Sequence, residues 1–195
     1  MAQVNLPNVL TVLRILLVPV LVVALLQGTS HGDLFAAGVF AVASFTDMLD
    51  GRLARSRGSI TTFGKLMDPV ADKLLVLAAL ITLVSLDRVA AWVAMVILAR
   101  EFAVTALRAA AGSQGVVVPA QSWGKAKVGL QVLMVFALIL EGSGVLWVDL
   151  LVYLTVAVTV ISGVDAFFGI KRTVDQARTA RDERSAARAA DESGA

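Results

Sequence analysis

Six apolar runs, at about 9–26, 34–54, 74–86, 90–111, 128–140 and 146–170, leave this chain little choice of environment. A transmembrane helix needs about 20 predominantly apolar residues, and several of the runs are close to that length. The third and fifth are shorter, so their helices are expected to extend into the polar residues beside them. Over 195 residues the chain is 58% hydrophobic and only 16% charged, with a mean hydropathy of +0.83. A water-soluble domain of that composition would lack the polar surface to cover its core. The expected fold is therefore all-α, an integral membrane bundle of six transmembrane helices.

The basic residues set the orientation. Of 17 Lys and Arg, all but Arg88 fall in or near one set of helix ends. The positive-inside rule puts those ends, and with them both termini, in the cytosol. The opposite connectors carry Asp33, Asp87, Glu141 and Asp149 beside Arg88 alone. The first apolar run passes straight into Gln27, Gly28 and Thr29 with no cleavage pattern, so it is expected to remain as a membrane helix. His31, the single histidine, is expected as a solvated residue of a short polar connector. Composition changes abruptly after residue 171, which divides the chain into a membrane domain, 1–171, and a charged cytosolic tail, 172–195. A mixed-charge run of that kind is expected as a solvated helix or a frayed end rather than a binding site. There is no cysteine, which removes disulfides, thiolate metal sites and thiol nucleophiles.

Against this apolar background, Asp47, Asp50, Asp68 and Asp72 are costly. One ionised Asp at the centre of a membrane helix costs about 2.5–3.5 kcal/mol on insertion scales, so four need compensation. Asp47 and Asp50 are three apart and Asp68 and Asp72 four apart, so each pair shares a helix face and the two faces can converge on one pocket. Asp68 before Pro69 also fits an N-cap with proline at the first helical position. Four carboxylates without His or Cys suit hard divalent ions, Mg²⁺, Mn²⁺ or Ca²⁺, and a pair of ions that bridge a diphosphate. Gly51 and Ala54 are small enough to let a ligand approach the backbone, and Arg55 offers a forked donor for phosphate. Gly64 serves either close helix packing or close ligand approach. Phosphoryl-type transfer is the chemistry such a set would serve.

The spacing DxxDGxxAR, eight residues, GxxxDxxxD runs from Asp47 to Asp72 in full. Eight fixed identities would arise by chance below about once per billion starting positions. The pattern resembles the signature of the CDP-alcohol phosphotransferases. The resemblance implies six transmembrane helices, a homodimer, and two divalent ions, Mg²⁺ or Mn²⁺, held by Asp47, Asp50, Asp68 and Asp72. It further implies transfer of a phosphatidyl group from CDP-diacylglycerol to an alcohol with release of CMP. Asp72 matches the general base, and Gly51, Ala54, Arg55 and Gly64 match positions at the cytidine diphosphate.

Beyond the motif, NLPNVLTVLR at 5–14, TTFGKLMDPVADKLL at 61–75, Arg100-Glu101-Phe102 and WGKAK at 123–127 resemble the branch of that family found as bacterial phosphatidylglycerophosphate synthases. That likeness implies glycerol 3-phosphate as acceptor, membrane lipid as surroundings, no nucleic-acid partner, and a multi-pass place in the bacterial cell membrane with the site facing the cytosol. An anionic acceptor needs cations, and Arg100, Arg108, Lys125 and Lys127 lie near the cytosolic ends of the fourth and fifth helices. Lys125 and Lys127 are equally readable as anchors facing lipid headgroups. Arg108 is expected to face the bundle interior, and Glu101 to pair with Arg100 or Arg108. Asn8, Thr11 and Arg14 form a polar stripe on the first helix, either bordering the acceptor pocket or packing on another helix.

Sister branches that use phosphatidylglycerol or inositol phosphate as acceptor remain as alternatives, since the second also wants a basic pocket. A divalent-cation transporter is the alternative from another class. Gly51, Ala54 and Arg55 have no evident task in cation transport, and an arginine beside the path would repel the cargo.

Overall fold

The computed structural model describes the backbone of residues 6–57, 62–113, 115–116 and 122–193, and the side chains of 12–46, 73–113, 115–116, 127–179 and 183. These residues form six helices and no strand: α1 (Leu6–Leu26), α2 (Ser30–Arg57), α3 (Thr62–Ser85), α4 (Ala91–Ser113), α5 (Ser122–Leu140) and α6 (Leu146–Ser193). The third and fifth helices do extend into their polar flanks.

Each helix buries a narrow seam at alternating spacings of three and four. On α1 the seam is Arg14, Val18, Leu21 and Leu25; on α5 it is Lys127, Gln131, Met134 and Leu138; on α6 it is Val148, Val152, Thr155, Thr159, Ser162 and Ala166. Such spacing keeps one stripe of a helix facing its neighbours. The opposite faces are apolar as well, with Leu16, Val23, Phe45, Met95, Tyr153 and Ile161 exposed. One helical stretch among the described residues, 146–179, is long and apolar enough to cross a membrane. Several hydroxyls on the helices turn back onto their own backbone. Thr82 donates to the Ala78 carbonyl at 2.8 Å and Thr155 to Leu151 at 2.7 Å, so neither needs a partner elsewhere.

α1 packs along both α2 and α3, which touch each other little, while α6 packs on α4 and α5. The turn from α1 to α2 is short because Gly28 takes a left-handed φ of 60° and the Thr29 hydroxyl accepts from the Gly32 N–H at 3.1 Å as an N-cap. α2 therefore opens at Ser30, and His31 sits exposed in its first turn rather than in a connector. A second departure concerns α3. It opens at Thr62, which puts Asp68 and Pro69 inside the helix and removes the reading of Asp68 as an N-cap. Thr62 supplies a start that the apolar run, beginning only at Leu74, did not mark. The charged tail is a helical continuation of α6 as far as Ser193, the first of the two forms its composition allowed.

The end of the bundle opposite the aspartate motif is tied by Arg88. The Val84–Asp87 and Leu83–Arg88 backbone bonds close α3 with Asp87 at a left-handed φ of 56°, which turns Arg88 back across the bundle. There its guanidinium bonds Asp33 of α2 at 2.7 Å and the Ile139 carbonyl of α5 at 2.9 Å. One side chain thus joins three helices. Arg88→Ala should lower stability by about 1–3 kcal/mol, as expected when partly buried acceptors lose a charged donor; thermal unfolding in detergent measures it, and an unchanged midpoint would remove the tie.

Candidate functional site

The aspartates of the motif ride on two consecutive helices, α2 and α3. Asp47, Asp50, Gly51, Ala54 and Arg55 lie in the last turns of α2, and Gly64, Asp68 and Asp72 in the first turns of α3, with only 58–61 between the helices. Their side chains, and those of Thr11 and Lys125, lie outside the described residues. Among the described residues no group of three or more His, Asp or Glu gathers as a cation site. The donor set of the motif, carboxylates alone on two adjacent helices, fits a hard divalent ion in its chemistry.

Next to the motif end lies a buried cluster of charge. Lys127, one turn into α5, is only 2% exposed and its ammonium pairs with Oε1 of Glu101 on α4. The same oxygen accepts from Nη1 of Arg100 at 3.1 Å. Nη2 of Arg100 reaches across to α6, where the Ser162 hydroxyl lies at 3.2 Å and the Ser162 carbonyl at 3.4 Å. α4 and α5 both also pack on α3, which carries Gly64, Asp68 and Asp72. The cluster therefore joins α4, α5 and α6 and abuts the helix that carries half of the motif.

A cation buried in an apolar bundle persists only with a counter-charge, and Glu101 serves two. With two cations and one anion, the triad keeps one positive charge over. Lys127 has spent one of three donors, so two N–H groups remain for an anion. Arg100, by contrast, has both terminal nitrogens engaged.

The expected basic residues thus separate. Glu101 pairs with Arg100, as expected, but its second partner is Lys127 rather than Arg108. Lys127 is a buried ion-pair partner, which overturns its reading as an anchor facing headgroups. Arg108 is exposed two turns along α4 from Arg100 and not turned into the interior, and it makes no ion pair among the described residues. Arg14 is buried on α1 at 2% exposure. Sequence reasoning missed Ser162 and Gly163. Their signal was the spacing of Thr155, Thr159 and Ser162, a polar stripe at four and three within an otherwise apolar run.

Residues 4–161 match the family described as CDP-alcohol phosphatidyltransferase, and the chain belongs to that family. Among its relatives is the CDP-diacylglycerol--glycerol-3-phosphate 3-phosphatidyltransferase of Bacillus subtilis, 41% identical over 180 residues that cover 84% of this chain and 93% of the relative. A protein of Mycobacterium tuberculosis named probable phosphatidylglycerophosphate synthase is 43% identical over 166 residues, 83% of this chain and 79% of its own. The CDP-diacylglycerol--glycerol-3-phosphate 3-phosphatidyltransferase of Rickettsia felis is 37% identical over 174 residues, 86% and 96% of the two chains.

Removing Glu101 should expose the cost of the buried lysine. Glu101→Ala should destabilise the protein by about 3–5 kcal/mol, and adding Lys127→Met should recover most of the loss. Thermal unfolding of the single and double variants checks this; an undisturbed midpoint in Glu101→Ala would make the triad incidental.

Proposed function

We propose that this chain is an integral-membrane phosphatidyltransferase that joins the phosphatidyl group of CDP-diacylglycerol to glycerol 3-phosphate, giving phosphatidylglycerophosphate and CMP. The observation that carries the reading is the complete aspartate motif on α2 and α3, within a chain whose relatives over more than four-fifths of its length bear that activity in their names. The buried basic cluster beside the motif favours an acceptor that itself carries phosphate over phosphatidylglycerol or a neutral alcohol.

Asp47, Asp50, Asp68 and Asp72 would hold two divalent ions, Mg²⁺ or Mn²⁺. What such ions supply when bound is neutralisation of charge on the diphosphate and on the leaving phosphate. Gly51, Ala54 and Gly64 leave room for the cytidine diphosphate against the helix backbones, and Arg55 offers it a fork of donors. Asp72 takes the proton from the acceptor hydroxyl as its oxygen bonds to the phosphorus that bears diacylglycerol; the bond from that phosphorus to the CMP oxygen breaks, and CMP departs. Lys127 and Arg108 meet the acceptor phosphate with their unspent donors, Arg100 supports Lys127 through Glu101, and Lys125, Thr11 and Arg14 border the pocket.

The exposed apolar faces of α1, α4 and α6 support a bundle set in lipid, since their partner in water would be missing. The charge asymmetry supports the orientation. Asp33, Asp87, Glu141 and Asp149 share one end with Arg88, which is itself spent on Asp33, and the remaining basic residues lie toward the other. The site and both termini then face the cytosol of a bacterial cell, with 1–171 as membrane domain and 172–195 as a cytosolic extension. A homodimer is the expected assembly.

Asp72→Asn should cut CMP release by about a hundred- to ten-thousandfold, the range for loss of a positioned base, while CMP binding in the presence of Mg²⁺ is kept. Turnover retained in this variant would remove Asp72 as the base. A protein whose unfolding temperature CMP and Mg²⁺ do not raise would favour the transporter reading instead.

A further inference from the structure

Lys127 can meet a phosphate only if its ammonium is held in place, and the chain of contacts that holds it ends on α6. Ser162 is 2% exposed and accepts from Nη2 of Arg100 through both its hydroxyl and its carbonyl. The hydroxyl's own proton goes to the Thr159 carbonyl at 3.0 Å, which fixes its lone pairs toward Arg100. Gly163 provides the space. A Cβ placed there would lie 3.0 Å from Cγ of Arg100 and 3.8 Å from its Nε, so any larger residue pushes on the arginine stem. Arg100 in turn shares Oε1 of Glu101 with Lys127. Ser162, Gly163, Arg100 and Glu101 thus form one relay from α6 through α4 to α5.

We propose that Ser162 and Gly163 are positioning residues for the acceptor phosphate: they seat the Arg100 guanidinium, which with Glu101 fixes the Lys127 ammonium that receives the phosphate. The proposal rests on the reading of Lys127 as an acceptor ligand. Neither α6 residue touches the reacting atoms. Their effect reaches the acceptor only, because the aspartates and the nucleotide contacts belong to α2 and α3. It also gives the buried polar stripe of α6 a task that packing alone does not, since an apolar residue at 162 would fill the seam equally well.

Steady-state kinetics in detergent micelles, with each substrate varied in turn, tests the relay. Gly163→Ala should raise the KM for glycerol 3-phosphate about five- to tenfold, and Ser162→Ala about threefold, with the KM for CDP-diacylglycerol and kcat within about twofold of the parent. In an Arg100→Ala background, which removes the Cγ that a Cβ at 163 would meet, Gly163→Ala should add nothing, because its effect passes through the arginine stem. An additive effect there, equal losses for both substrates, or an unmoved acceptor KM in both α6 variants overturns the proposal. If Gly163→Ala does not fold, Ser162→Ala, which deletes one hydroxyl, decides alone. Lys127→Ala separates the two levels: a raised acceptor KM with silent α6 variants overturns only the relay, whereas an unchanged acceptor KM in Lys127→Ala overturns the acceptor site and the relay with it.

Discussion

Charge inside an apolar helix bundle must find its counter-charge within a few ångströms, and in this protein that requirement organises both ends. At one end Arg88 meets Asp33 and the end of α5. Toward the other, Lys127 and Arg100 share a single oxygen of Glu101. Between them the helices are held by narrow apolar seams with small residues such as Ala36, Ala43 and Ala79 among the bulky ones. Seams of that kind fix the distance between helices but carry little directional information. The two ionic ties supply it, because an ion pair with a misplaced partner would leave a buried charge alone.

The division of labour follows from that arrangement. The Arg88 end spends its single arginine on structure. The motif end holds the four aspartates of α2 and α3, the exposed Arg108, and a triad with an unbalanced positive charge. Four carboxylates and the basic groups of the triad thus sit at the same end, on different helices. An enzyme that brings a nucleotide diphosphate and a phosphorylated alcohol together has use for both, provided they do not neutralise one another. The acids lie on α2 and α3, and the triad on α4 and α5.

Much of this was legible in the residues and some was not. The six helices follow from runs of apolar residues near the length of a membrane span, and the need for α3 and α5 to reach into polar sequence follows from the same length. The family follows from eight identities at fixed spacing. Helix starts were less legible, because they depend on local capping rather than hydropathy: the Thr29 cap draws His31 into α2, and the start at Thr62 places Asp68 inside α3. Pairing was the least legible. Lys127 and Arg108 are both basic residues beside apolar runs, and only the packing of α4 and α5 on α6 shows that one is buried on Glu101 and the other exposed. Ser162 and Gly163 carry no charge, and their meaning appears only when the Arg100 stem lies against them.

The most direct test is CMP release by the purified, detergent-solubilised protein given CDP-diacylglycerol and Mg²⁺, with glycerol 3-phosphate, inositol phosphate and phosphatidylglycerol offered separately. The structure and its relatives predict release with glycerol 3-phosphate alone. Release only with another acceptor, or with none, would contradict that account.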